Sequence, residues 1–140
     1  FGGHLPAPNP ETLVDLQASV VDHNALLGIA TDGDADRLGV IDENGRYVPA
    51  NTLLVLLYYY LHAYRGWKGP CVRNNSTTCL LDRVAESFGE VCYEVPVGFK
   101  YISAKMAETN AIIGGEWQSG DTLQARTVFT PLPCWWKCWQ

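Results

Sequence analysis

PCVRNNSTTCLLDRVAESFGEVCYEVPVGFKYISAKMAETNAII, residues 70–113, alternates short apolar runs with longer amphipathic ones. The runs at 70–73, 91–95 and 111–113 have strand length, while 77–88 and 101–108 carry helical spacing, the first closed by Gly89. Strand, helix, strand, helix, strand predicts a parallel sheet with right-handed crossovers, the α/β class. In open sheets of this kind chemistry gathers in loops beyond the carboxyl ends of the strands, here 73–76, 96–100 and 114–120.

Toward the amino terminus, residues 52–64 are apolar at nearly every position, which predicts a helix covered on most sides and ended by Gly66. Pro49 punctuates the chain, so the expected division is 1–48, 49–124 and an atypical tail, 125–140. Asp42-Glu43-Asn44-Gly45 is turn chemistry, with Asn-Gly supplying positive φ angles and 46–48 forming the returning strand. Residues 25–30 and 38–41 read as two buried strands, and Asn9-Pro10 as the cap and first residue of a helix over 10–23. The expectation is an α/β chain of parallel-type mixed sheets with crossover helices, holding parts of two lobes.

Between the strands at 25–30 and 38–41 stands Asp32-Gly33-Asp34-Ala35-Asp36-Arg37. Carboxylates at every second position of an extended loop point the same way, and three like charges so close repel unless a cation holds them. All-oxygen donors without histidine or cysteine favour Mg2+. The plain alternative is a solvated acidic turn. A calcium loop is a second one, since Asp32, Asp34, Asp36 and Glu43 match its first, third, fifth and twelfth positions, but Arg37 stands where that loop needs glycine.

Composition narrows the function. The chain has 140 residues, 47% of them apolar, enough for one ordinary core or two small lobes. A net charge of −5 argues against a nucleic-acid or anionic-membrane surface. The longest apolar run, 53–61, is about half the ~20 residues of a membrane span. Five cysteines without regular spacing read as reduced thiols, so a cytoplasmic setting is expected.

Residues 31–38 resemble the metal loop of the phosphohexose mutases, the phosphoglucomutase and phosphomannomutase family. Residues 1–11, Pro96-Val97-Gly98-Phe99-Lys100-Tyr101-Ile102 and Gly114-Gly115-Glu116 resemble the same family in the same order. The resemblance implies an isomerase of four domains, of which this chain would hold the end of the second and most of the third, with domains 1 and 4 missing. Such an enzyme moves a phosphoryl group between the 1- and 6-positions of a hexose phosphate through a bisphosphorylated sugar. It implies that Asp32, Asp34 and Asp36 ligate Mg2+ together with a phosphoserine absent from this sequence, so the chain alone is expected to be inactive. Lys100 resembles the family's active-site lysine.

Arg37 could aim its guanidinium at the phosphoryl group, or merely balance the aspartates. Glu116 resembles the acid of the sugar-selecting loop, which accepts hydrogen bonds from hexose hydroxyls. There the chain reads Gly115-Glu116-Trp117-Gln118-Ser119-Gly120, with tryptophan substituted and one residue added before Ser119, the other substrate-binding candidate. The rival function is a non-catalytic module for divalent metal or sugar phosphate, and beyond it a calcium-binding scaffold.

After Gln124 the resemblance ends, and the chain closes on Pro133-Cys134-Trp135-Trp136-Lys137-Cys138-Trp139-Gln140. Read one nucleotide earlier, this tail would encode an apolar helical pattern with one acid, which suggests a frameshift between residues 116 and 131. A zinc pair, Cys134 and Cys138, and a tryptophan interaction patch are the alternatives.

Overall fold

Strand pairing carries straight across the break near Pro49. The computed structural model describes Gly3, residues 5–118 and residues 122–124. In chain order the elements are α1 (Val14–Asp22), β1 (Leu27–Thr31), β2 (Arg37–Asp42), β3 (Tyr47–Val48), α2 (Ala50–Ala63), β4 (Cys71–Asn74), α3 (Leu80–Ser87), β5 (Cys92–Val95), α4 (Phe99–Thr109), β6 (Ile113–Gln118) and β7 (Thr122–Gln124). They form one seven-stranded sheet in the order β1-β2-β7-β6-β4-β5, with β3 against β2. As expected, β4, β5 and β6 are parallel. The strands β1, β2, β3 and β7 pair antiparallel, and β7 joins β6 to β2, so the sheet is mixed.

The crossovers fix the layers. β4 lies between β5 and β6, so α3 and α4 return on opposite faces. One core, under α2 and α3, gathers Leu54, Tyr58, Cys71, Leu81, Ala85 and Ile113. The other, under α4, holds Val72, Ile102, Met106 and Ala111. Gly114 is glycine because α4 crosses directly above it, and a Cβ there would collide with Met106 Sδ and come within 2.7 Å of Ile102. α1 covers Gly28 of β1 through Leu16 and Val20 in the same way.

Local chemistry moved several boundaries. The first helix begins at Val14 rather than at residue 10, because Asn9 and Thr12 bond reciprocally: the Thr12 N–H donates to Asn9 Oδ1 at 3.1 Å and the Asn9 N–H to Thr12 Oγ1 at 3.2 Å. That closes a separate turn, and Leu13, at φ −103° and ψ 17°, leaves helical geometry before α1 starts. Likewise α3 starts at Leu80, since the Thr77 hydroxyl is spent on Asn74 and the Thr78 hydroxyl on the Leu80 N–H. In the hairpin only Gly45 has positive φ, at 76°. Asp42 Oδ1 accepts the N–H groups of Asn44 and Arg46, so the turn needs one left-handed residue instead of two.

Two burial expectations were too generous. β1 is an edge strand, and Leu27 and Ile29 on its uncovered face are exposed. In α2 the side toward the sheet is buried, but Leu56, Tyr59 and Tyr60 face away from it and stay exposed. The proposed tail, 125–140, lies outside the described residues. Among the described residues no helix is long and apolar enough to cross a membrane.

Substituting Gly114→Ala should shift the urea unfolding midpoint downward by the equivalent of about 1–3 kcal/mol, the usual cost of overpacking. An unchanged midpoint would mean that α4 does not press on β6 as closely as described.

Candidate functional site

The acidic loop is held by its own third side chain's neighbour. Ala35 takes a left-handed φ of 59°, which tightens the loop so that the Asp36 and Arg37 N–H groups both reach Asp32 Oδ1, at 3.0 and 3.1 Å. Arg37 Nε closes on Asp32 Oδ2 at 2.6 Å and lies 3.7 Å from Asp36 Oδ1. Neither contact uses the terminal guanidinium nitrogens. Asp32 is therefore buried and fully oriented, whereas Asp34 is exposed and Asp36 half-buried.

One oxygen from each of Asp32, Asp34 and Asp36 lies within 4.8 Å of the others. Burial alone would raise the Asp32 carboxyl, but the backbone and guanidinium bonds from Arg37 outweigh it and hold it at about 2. Asp36 goes the other way, raised by burial, by its contact with Asp32 and by the negative charges of Asp34 and Asp32. An oxygen-only donor set with one pre-ionised member and two repelling ones fits a hard divalent cation such as Mg2+. The loop is flanked by β1 and β2, so the helices of a helix-flanked calcium loop are absent on both sides.

At the carboxyl ends of the parallel strands a second constellation forms. Glu116, on β6, is 1% exposed. Its Oε2 accepts the side-chain amide of Asn74 at 3.3 Å and the N–H of Gly98 at 3.1 Å. Gly98 has φ 129° and caps α4, so the carboxylate sits at the positive end of that helix. Asn74 ends β4, and its Oδ1 accepts the N–H and hydroxyl of Ser76 and the hydroxyl of Thr77. The expected loops 73–76 and 96–100 meet at this network, but the third contribution comes from a strand: β6 runs over Ile113–Gln118 because it pairs with both β4 and β7, so Glu116 is a strand residue and not part of the loop expected over 114–120. Lys100 lies in the first turn of α4, exposed, its Nζ 4.8 Å from the centroid of the Tyr101 ring. Ser119 lies outside the described residues.

Register ties the two constellations together. Arg37 pairs with Gln124, and Gln124 pairs with Glu116, so the three stand in one cross-strand row. Directly opposed residues share a face, which puts Arg37 and Glu116 on the same side with Cα atoms roughly 10 Å apart, two strand spacings. It is the side of α1 and α4: Gly114, two residues before Glu116, packs under α4, and Ile41, four after Arg37, stands opposite the Gly28 that packs under α1.

Sequence reasoning missed Asn74 and Arg73. Arg73 is buried on the opposite face of β4, where Asp82 takes its Nε at 2.8 Å and Glu94 its Nη2 at 2.8 Å. A charged and an amide residue ending a strand otherwise read as buried was the available signal.

Comparison with known proteins gives a consistent result. Residues 49–129 match the sequence family described as phosphoglucomutase/phosphomannomutase, alpha/beta/alpha domain III, and residues 1–45 match domain II of the same family. A phosphoglucosamine mutase of Nautilia profundicola is 40% identical over 119 residues, covering 84% of this chain and 26% of that protein. A phosphoglucomutase/phosphomannomutase of Thermococcus kodakarensis is 35% identical over 122 residues, covering 84% and 26%. Among solved structures, a phosphoglucomutase/phosphomannomutase family protein from Burkholderia thailandensis superposes with a TM-score of 0.73 at 30% identity, over 88% of this chain and 27% of that one. The chain spans less than a third of the length of the curated relatives it matches.

Because burial, the contact with Asp32 and the neighbouring negative charges raise the Asp36 carboxyl, Mg2+ should bind more weakly as pH falls into the carboxylate range, and within that range its binding should release protons. Calorimetry in buffers of different ionisation enthalpy measures both effects. Proton uptake on binding, or affinity that rises in acid, would contradict this account of the loop.

Proposed function

The chain belongs to the phosphoglucomutase/phosphomannomutase family, and on that premise we propose that it supplies the metal-binding and sugar-facing portion of a phosphohexose mutase. The whole enzyme would transfer a phosphoryl group within a hexose phosphate, between the 1- and 6-positions, through a bisphosphorylated sugar. The observation that carries this reading is the cross-strand row, which brings the end of the acidic loop and the buried Glu116 to one face of one sheet. The gap between them suits a sugar ring with its phosphate.

Asp32, Asp34 and Asp36 would hold Mg2+, which when bound supplies positive charge to the oxygens of the phosphoryl group. Arg37, its Nε spent on Asp32, has two terminal nitrogens in the fork geometry that suits paired phosphate oxygens. Lys100, at the sugar side of α4, assists proton movement at a hydroxyl or binds the sugar's phosphate. Glu116 would accept hydrogen bonds from hexose hydroxyls, and Ser119, three residues on in the sequence, is the second sugar-side candidate. In the family the phosphoserine and a phosphate-binding loop come from domains 1 and 4, so the 140-residue chain is expected to bind without turning over. The acidic composition and irregular cysteines support a cytoplasmic setting.

Two measurements test the reading. Calorimetry should detect Mg2+ and, in its presence, weak binding of glucose 1-phosphate, and Asp34→Asn or Asp36→Asn should weaken Mg2+ by about ten-fold or more. The same chain given glucose 1-phosphate and glucose 1,6-bisphosphate should show no turnover. Preference for calcium with no sugar-phosphate binding would replace the mutase reading by that of a metal-binding scaffold.

A further inference from the structure

Asn74 has no exposed surface, yet its amide is one of the most heavily bonded groups in the molecule. Ser76 donates to its Oδ1 twice, from the backbone at 3.2 Å and the hydroxyl at 3.0 Å, and Thr77 once at 2.6 Å. Three donors converging on one end identify that end as the oxygen, so the NH2 must be the end that meets Glu116. Asn74 and Gly98 are the hydrogen-bond partners of the Glu116 carboxylate among the described residues, and both bond Oε2. Oε1 takes part in neither bond.

The choice of an amide here has chemical consequences. A cation against Glu116 would neutralise it and compete for both oxygens. An amide donates one bond, keeps the carboxylate negative and leaves the second oxygen its acceptor strength. The neighbouring cation, Arg73, is turned to the other face and consumed by Asp82 and Glu94. On the side of Gly98, the α4 end supplies a dipole and one N–H, and the cation of its first turn, Lys100, lies over the Tyr101 ring and makes no ion pair with Glu116 among the described residues.

We propose that Asn74 is a positioning residue for sugar recognition: with the Gly98 N–H it pins Glu116 Oε2, so that Oε1 is offered in one fixed direction to a hydroxyl of the hexose. This rests on the reading of Glu116 as the sugar-side acceptor. It adds a residue that touches no substrate, at the end of β4, to the determinants of binding.

The test uses the 140-residue chain, with Mg2+ present and glucose 1-phosphate as probe. Asn74→Asp keeps the shape but sets a carboxylate against Oε2, so at neutral pH affinity should fall about ten-fold or more. Compared with the unsubstituted chain at the same pH and saturating Mg2+, the deficit should shrink as pH is lowered and the pair shares one proton, an O–H then replacing the lost N–H. Mg2+ affinity should be unchanged. A folded Asn74→Asp chain that binds the probe as tightly as the unsubstituted one at neutral pH, while Glu116→Gln weakens it, would overturn the positioning role alone.

A second measurement needs no variant. In the unsubstituted chain the Asn74 side-chain NH2 resonances should exchange slowly and should move when glucose 1-phosphate is added. Free exchange, or no movement at saturation, would overturn the proposal even if Asn74→Asp fails to fold. Failure of the underlying reading looks different: the NH2 exchanges slowly, but the probe does not bind or Glu116→Gln does not weaken it.

Discussion

Three residues of backbone pairing hold the two halves of this molecule in one frame. β7 takes β2 on one side and β6 on the other, both antiparallel. Without it the hairpin of β1, β2 and β3 would keep α1 and little else, and a small hairpin unit with one helix is marginal on its own. With it, the loop that carries Asp32 is referred to the same sheet plane as the parallel strands that carry Asn74 and Glu116. Pleat parity then decides which side chains can share a site, because a slip of one residue in β7 would send Arg37 and Glu116 to opposite faces.

The buried polar groups divide by face in the same way. On β4, Arg73 and Asn74 are consecutive and must point oppositely. Arg73 meets acids on α3 and β5, an arrangement in which an internal guanidinium is matched by Asp82 and Glu94. Its role is structural, since an unpaired buried cation would cost several kcal/mol. Asn74, one residue on, meets a carboxylate that no cation among the described residues pairs with. The sheet thus keeps a compensated charge on the α3 side and an uncompensated one on the α4 side, where the helix end offers partial positive charge without quenching it.

How much of this could be read from the sequence depended on range. The acidic loop was legible because its donors lie within five residues and its flanks are strands by composition. The parallel order was legible because crossover units write their periodicity along the chain. β7 was not, since three residues carry no period, and although β6 lies just before it, its other partner, β2, is more than eighty residues away along the chain. Asn74 escaped for a similar reason: its partner Glu116 is forty-two residues distant, and nothing local says that the two meet. The late starts of α1 and α3 were obscured by competition, as Asn9, Thr12, Thr77 and Thr78 could serve either a helix or a side-chain turn, and the turn won.

The same competition explains why the acidic loop is ordered before any cation arrives. Three carboxylates within 4.8 Å should push a loop apart, but one of them, Asp32, is bonded by two N–H groups and a guanidinium. It is anchored as firmly as a capping residue, and its charge is already compensated. The remaining repulsion falls on Asp34 and Asp36, the more exposed pair, and adds to burial and the contact with Asp32 in raising the Asp36 carboxyl. A divalent cation placed among them would meet one ligand already fixed by the loop's own bonds and two whose mutual repulsion it would relieve. Arg37 is what makes this division work, because the residue that closes the loop is also the first residue of β2, whose register with β7 aims the loop at Glu116.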